Sequence, residues 1–336
     1  MLRGRVLFVL CFLLLPVACS GRAATEPAAA TATPAAELTH IRLPMGFVPD
    51  PQYAPFYVAV ERGYFADAGL EIEFDYSFET DGMALVGAGE LPFAIVSGEQ
   101  VILARAQGLP VVYVLEWFQR FPIAVISKEA AGITEPEDLA GHSVGLPAYF
   151  GASYVGYVGL LSAAGVSADA VAPEEIGFTQ VETLQADRVD AVVGYVNNEP
   201  IQLRNLDEAI NVIDVADYVD LVANGIVTNE ETIAGNPDLV QAFVRATLRG
   251  LADTLADPAA AFEISKQFVE GLDGSRRDVL QASLPLWEAE TLGYTEPASW
   301  QQTQEVLLQA ELLDEPVDDL DAAYSNRFVL EAQPES

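Results

Sequence analysis

Four short clusters of aromatic and polar residues carry the side chains that could hold a small molecule. They are Phe47, Asp50 and Tyr53; Trp117 and Phe118; Tyr149 through Ser153; and Tyr195 through Pro200, which includes Asn197, Asn198 and Glu199. Rings of Trp, Tyr and Phe stack on flat ligands, and a carboxylate such as Asp50 or Glu199 accepts hydrogen bonds from ring N–H donors. A helix opening near Gly151 would aim free backbone N–H groups at a ligand oxygen. Asn and Glu closing an apolar strand are costly to bury unpaired, so they either face solvent or hold something.

Catalytic constellations are scarce. The two histidines, His40 and His142, sit at strand edges and form no His-x-x-x-His metal pair. Gly151-Ala152-Ser153-Tyr154-Val155 fails as a nucleophile elbow at its fifth position. Lys128 and Lys266 each follow Ser, so no Gly-Lys-Ser/Thr phosphate loop exists, and no Gly-x-Gly-x-x-Gly follows a strand. Binding without chemistry, without metal or cofactor, is the reading these absences favour.

The clusters fall at junctions between strands and helices. His40 to Phe47 reads as a strand. Phe56, Val60 and Tyr64 recur at helical spacing, so Pro55 to Ala68 reads as one helix capped by Gly69. Glu71 to Tyr76 alternates as a strand; helices over 81–89 and 99–107 flank a buried strand over 93–97. Strands follow at 111–117 and 123–127. A second unit begins near Gly132, with a short helical turn over 133–141, a strand at 142–146, helices at 153–164 and 181–186, and a strand at 189–195. Another apolar run covers 221–228. Helices then cover 237–255, 259–269, 278–287 and 298–310, and residues after about Leu330 read as loose. Strands separated by helices imply βαβ units, a mainly parallel sheet, and a ligand crevice at the carboxyl ends of the strands. The pattern predicts two α/β lobes joined by two crossings, with 38–122 and 228–330 in the first lobe and 123–227 in the second. No internal repeat is visible.

Before this lies a segment with a different role. Arg3 and Arg5 precede an apolar run from Val6 to Leu15 that is too short to span a membrane, so residues 1–18 read as a signal peptide. Leu15-Pro16-Val17-Ala18-Cys19 looks like a lipobox, which would make Cys19 the lipidation site. Residues 19–37, rich in Ala, Thr and Pro, suit a flexible tether. Cys11 and Cys19 are the sole cysteines, and Cys11 leaves with the signal, so no internal disulfide forms. The formal net charge of -34 repels nucleic acid and anionic lipid headgroups. An anionic ligand such as an alkanesulfonate would need a basic pocket, and Arg120 is the one cation at the junctions.

The chain from about His40 to Ala310 resembles the thiamine-pyrimidine-synthase-like family of solute-binding proteins. The resemblance rests on Ala54-Pro55-Phe56-Tyr57-Val58-Ala59, Gly63-Tyr64-Phe65, Gly69-Leu70-Glu71, Asp138-Leu139-Ala140-Gly141, Arg188-Val189-Asp190-Ala191 and Tyr195 through Pro200. It implies an α/β, two-lobed periplasmic-binding-protein-like fold of type II, with two hinge crossings and the ligand in the interlobe cleft. It also implies a monomeric, lipid-anchored receptor on the extracytoplasmic face of the cell membrane. Such a receptor delivers a vitamin-like ligand to the permease of an ABC importer. Tyr195 and Glu199 match positions that touch the heterocycle in pyrimidine-precursor binders of the family. Phe47, Asp50 and Tyr53 stand where those binders commonly carry Trp, Asn and His. These departures make the site more aromatic and fit a flat heteroaromatic ligand; the resemblance to a related group of riboflavin-binding lipoproteins, with the large, flat, uncharged isoalloxazine, favours riboflavin over a hydroxymethylpyrimidine-type ligand. The expected ligand contacts are Asp50, Tyr53, Trp117, Tyr149, Tyr195 and Glu199. The family's pyrimidine-synthesising enzyme uses a cysteine-rich motif and a donor histidine; this chain lacks the motif and has Tyr53 in the first loop.

Overall fold

The computed structural model describes residues 38–333, so the signal, tether and Cys19 readings lie outside the described residues. β1 (Thr39–Gly46) leads through a turn at Pro51–Tyr53 into α1 (Ala54–Glu61) and α2 (Tyr64–Asp67). β2 (Leu70–Phe78), α3 (Glu79–Gly87), β3 (Ala94–Ser97), α4 (Gly98–Ala106) and β4 (Val111–Glu116) follow. The next run is β5 (Ile123–Lys128), β6 (Ser143–Leu146), α5 (Gly151–Ala163), β7 (Ala172–Glu175) and α6 (Gln180–Gln185). It continues through β8 (Ala191–Tyr195), α7 (Glu199–Asn205) and β9 (Ile210–Asp214). β10 (Asn224–Asn229) precedes a helical stretch: α8 (Glu230–Gly235), α9 (Pro237–Ala256), α10 (Pro258–Ser265), α11 (Arg277–Trp287), α12 (Pro297–Gln309) and α13 (Arg327–Ala332).

The strands form two layers. β1 pairs with β2, β10 runs between β3 and β4, and β1 packs beside β3 without a hydrogen-bonded ladder, so the two pieces line up in one layer as β2-β1-β3-β10-β4. The second sheet has the order β7-β6-β8-β5-β9. The two orders correspond strand by strand although the sequence shows no repeat: β6 stands where β1 does, β8 where β3 does, and β5 where β10 does.

Neither layer is as parallel as the sequence pattern suggests. β10 is antiparallel to β3 and β4, and β5 is antiparallel to β8 and β9. The reason is connectivity. The chain passes from the first sheet to the second between Glu116 and Ile123 and returns between Asp214 and Asn224. A strand that enters a sheet at the edge where the others end must run against them.

Alternation along β5 shows how both faces of the second sheet are covered. Ala124 and Ile126 pack with Leu184, Val192 and Leu203 on one face. Ile123 and Val125 turn to the main core, and α5 packs on β5. Each of these Val, Leu and Ile side chains contributes about 1.5–3 kcal/mol when fully buried.

Three local features depart from the sequence reading. The helix expected over Pro55–Ala68 breaks at Gly63, whose φ of 74° reverses the chain before α2. β7, α7 and β9 are present where no element was expected. α13 continues to Ala332, two residues past the point from which the chain was read as loose, and residues 334–336 lie outside the described residues. Among the described residues, no helix is long and apolar enough to cross a membrane.

Candidate functional site

The carboxyl ends of β1, β6 and β8, and the loop beyond β4, open on one cleft between the two sheets. Met45, Gly46 and Phe47 arrive from β1, Phe78 and Glu79 from β2 and α3, and Trp117 and Phe118 from beyond β4. Pro147 and Ala148 arrive from β6, and Tyr195, Asn198 and Glu199 from β8 and α7. Asn224 joins them because β10 is reversed, so its first residue sits opposite Ser97 at the end of β3. The empty space, measured out to solvent at the mouth, is about 770 Å³, within the range that takes a drug-sized ligand.

Tyr53 and Trp117 form the aromatic wall. Their rings stack with centroids 5.4 Å apart. The Tyr53 hydroxyl donates to the Met45 carbonyl at 2.6 Å, fixing the ring. Phe56 meets Trp117 edge-on behind it. At the mouth, Phe178 stacks on Phe78 at 5.4 Å and meets Phe47 edge-on at 4.8 Å, while Phe150 meets Phe78 at 5.9 Å. Phe78 and Phe47 come from the first sheet, and Phe150 and Phe178 from the second.

The floor is a hydrogen-bonded chain. Tyr195 donates its hydroxyl to Asn224 Oδ1 at 2.9 Å, and Asn224 Nδ2 donates to Glu79 Oε1 at 2.8 Å. Glu79 Oε2 accepts from the Ser97 hydroxyl at 2.7 Å, and that same Ser97 oxygen touches Glu99 Oε1. One hydroxyl hydrogen cannot serve two carboxylates. Burial raises the pKa of both Glu79 and Glu99, and the neighbouring Glu79 raises Glu99 further. The pair therefore retains a proton at neutral pH. Glu199 lies across Gly194, where a Cβ would stand 2.5 Å from its Oε2. That oxygen accepts the Tyr195 N–H at 2.7 Å, and burial pushes the Glu199 pKa up to about 7. The floor thus mixes acceptors with partly protonated carboxyls. Among the described residues, no Lys, Arg or His lines the cleft. Arg120 is turned away into ion pairs with Asp214 and Asp217.

Of the six contacts expected from sequence, Tyr53, Trp117, Tyr195 and Glu199 line this cleft. Tyr149 does not: it is 45% exposed and donates its hydroxyl to the Pro173 carbonyl. Its neighbour Phe150 faces the cleft instead, ahead of Gly151 with a φ of 77°. Asp50 is also absent from the aromatic cleft. Its carboxylate caps the Pro51–Tyr53 turn through the Gln52 N–H at 3.0 Å and pairs with Arg276. Glu79, Phe78, Phe178, Gln180 and Asn224 are lining residues that sequence reasoning missed. A Glu opening a helix reads as a helix-dipole residue, and Asn224 lies inside an apolar run; Gly177-Phe178 before the short helix α6 was the one available signal.

The NMT1/THI5 like family profile matches residues 50–261. The chain belongs to this family. It is 44% identical over 347 residues to the riboflavin-binding protein RibY of Chloroflexus aurantiacus, covering 98% of this chain and 99% of that one. It is 30% identical to the formylaminopyrimidine-binding protein of Halalkalibacterium halodurans, over 70% of this chain and 72% of that one. A more distant member, the 4-amino-5-hydroxymethyl-2-methylpyrimidine phosphate synthase of Legionella pneumophila, is 22% identical over 87% of this chain and 92% of its own. In fold, the chain is similar to the alkanesulfonate-binding protein SsuA of Xanthomonas axonopodis bound to MOPS, with a TM-score of 0.70 at 14% identity. That likeness covers 87% of this chain and 99% of SsuA. The architecture is therefore the two-lobed, type II fold of periplasmic binding proteins.

Proposed function

We propose that this protein captures riboflavin outside the cytoplasm and hands it to the permease of an ABC importer. The observation that carries the reading is the stacked Tyr53–Trp117 wall facing a hydrogen-bonding floor of Tyr195, Asn224, Glu79 and Glu199 that holds no cation. An isoalloxazine is large, flat and uncharged, with N–H and C=O groups along one edge. It suits a wall that stacks and a floor that offers both acceptors and carboxyl protons. The relative named for riboflavin binding supports this choice. A sulfonate, by contrast, would find no cation lining the cleft.

The same reading takes the protein as a monomer on the cell membrane, held through lipid on Cys19 and the 19–37 tether, with 38–122 and 228–330 as one lobe and 123–227 as the other, save that all of β10, from Asn224, pairs with the first sheet. Labelled palmitate should enter the protein and be lost in Cys19→Ser; equal labelling of that variant would move the anchor elsewhere.

Flavin fluorescence titrated into the purified tether-free domain tests the ligand. Stacking on Trp117 and Tyr53 should quench emission saturably, one to one, at submicromolar concentration. Glu199→Ala should weaken binding by about 1–3 kcal/mol through loss of a buried hydrogen-bonding group. A folded sample that does not quench, but is stabilised against heat by formylaminopyrimidine, would replace riboflavin with a thiamine pyrimidine precursor.

A further inference from the structure

Beside the aromatic cleft lies a second hollow of about 540 Å³, measured out to solvent. The two share Phe47, Phe178, Gln180, Asn198 and Glu199, so they adjoin across these side chains. Their linings differ in kind. The cleft is walled by rings, whereas the hollow is lined by Asp50, Glu182, Gln202 and Arg276 together with the shared polar groups. Asp50, Gln180, Asn198 and Glu199 are each no more than 5% exposed. Such a density of buried polar side chains is costly unless something satisfies them.

The protein satisfies them incompletely. Arg276 Nη2 donates to Asp50 and to Asn198 Oδ1, but its Nε is buried with no partner. Asn198 Oδ1 already accepts from Gln202 Nε2 at 2.8 Å and from Arg276 at 3.2 Å. Gln180 Nε2 makes a 3.5 Å contact with the Val193 carbonyl, at the outer limit of a hydrogen bond. Donors are thus left over beside the acceptors of Glu182 and Glu199. Groups that donate and accept at the same atom, as hydroxyls do, match this mixed set.

The charges narrow the class. Asp50, Glu182 and Glu199 face a single cation, Arg276, whose charge Asp50 takes up in an ion pair. A phosphate here would meet Glu182 and Glu199 without a free cation to offset them. We propose that this hollow is a subsite for the uncharged, hydroxylated tail of a ligand whose flat ring fills the aromatic cleft. The inference rests on the reading of that cleft as a flavin-type ring site, and it adds the tail and the basis for rejecting a phosphorylated form.

Three probes on the folded domain test it: riboflavin, lumiflavin (the ring without the polyol) and flavin mononucleotide. Riboflavin should bind about tenfold or more tightly than lumiflavin, the worth of one or two hydrogen bonds, and more tightly than the mononucleotide. Gln202→Ala, at a residue that lines the hollow alone, should weaken riboflavin severalfold and leave lumiflavin unchanged. Glu182→Gln should narrow the gap between riboflavin and the mononucleotide. Equal riboflavin and lumiflavin affinities, or a Gln202→Ala effect shared by both, would overturn the tail subsite while leaving the ring site standing. Binding of neither flavin would overturn the ring site and the subsite with it.

Discussion

Glu116 shows how one buried carboxyl ties the first crossing to the core. It ends β4, and its Oε1 accepts the Ala223 N–H at 3.1 Å, just before β10 begins. Nearby, Trp300 Nε1 donates to the Thr295 hydroxyl at 2.9 Å. Burial, with smaller contributions from Asp220 and Glu296, pushes the Glu116 pKa up to about 8. The folded protein therefore keeps a proton that the unfolded chain releases from near pH 4.5. Stability falls as pH rises through that window and the loss is complete above about pH 8, on the order of a few kcal/mol. Glu99, Glu199 and Asp50 act in the same direction. Glu116→Gln should thus melt higher than the wild type at pH 9 and alike at pH 5, as read by calorimetry. Parallel melting curves across that range would show that Glu116 is ionised in the fold. No such behaviour was legible in the sequence, where Glu116 is one of fifty acids. Tyr53, Trp117, Tyr195 and Glu199 were legible because strand ends in an α/β fold point at the crevice. Which of Tyr149 and Phe150 turns inward was not, because the Gly151 turn decides it.

At the scale of elements, α1 and α9 pack so closely that Gly250 is obligatory. A Cβ there would stand 2.1 Å from the Pro55 carbonyl oxygen and 2.8 Å from the Ala59 Cβ. Helix propensity alone favours Gly250→Ala by about 1 kcal/mol. The clash is with backbone, which cannot rotate away, and overpacking costs about 1–3 kcal/mol. Sterics should win: the variant should melt below the wild type, and a higher melting temperature would refute the close approach. Riboflavin affinity should fall as well, since α1 continues directly from Tyr53 in the cleft wall. Most helices and strands could be read from their periods of 3.6 and 2 residues. Strand direction could not, because it follows from where the chain crosses between sheets. That gap hid Asn224, which reaches the cleft through the reversal of β10.

For the whole molecule, side chains on the two sides of the cleft meet across it. Polar links from Tyr195 to Asn224, from Arg276 to Asn198 and from Asn197 to Ser283 join the end of β8 and the start of α7 to β10, to the turn before α11 and to α11 itself. Opening would break them, but water can replace polar partners at little net cost. The rings at the mouth are different. Phe78, Phe150 and Phe178 are 39–44% exposed even with these contacts made, and separation would expose them further. Phe178 alone makes two ring contacts with the first-sheet side, to Phe47 and Phe78. Such pairs are worth about 0.5–1.5 kcal/mol each, so Phe178→Ala should cost the closed form roughly 1–3 kcal/mol. On the proposed function, ligand would enter an open form, which this change leaves intact, and would leave only after the mouth parts. The dissociation rate of riboflavin should therefore rise about tenfold while the association rate stays nearly constant, as stopped-flow flavin fluorescence would resolve. A slower association with unchanged dissociation would mean that the rings guide entry, and that the polar links alone hold the lobes together.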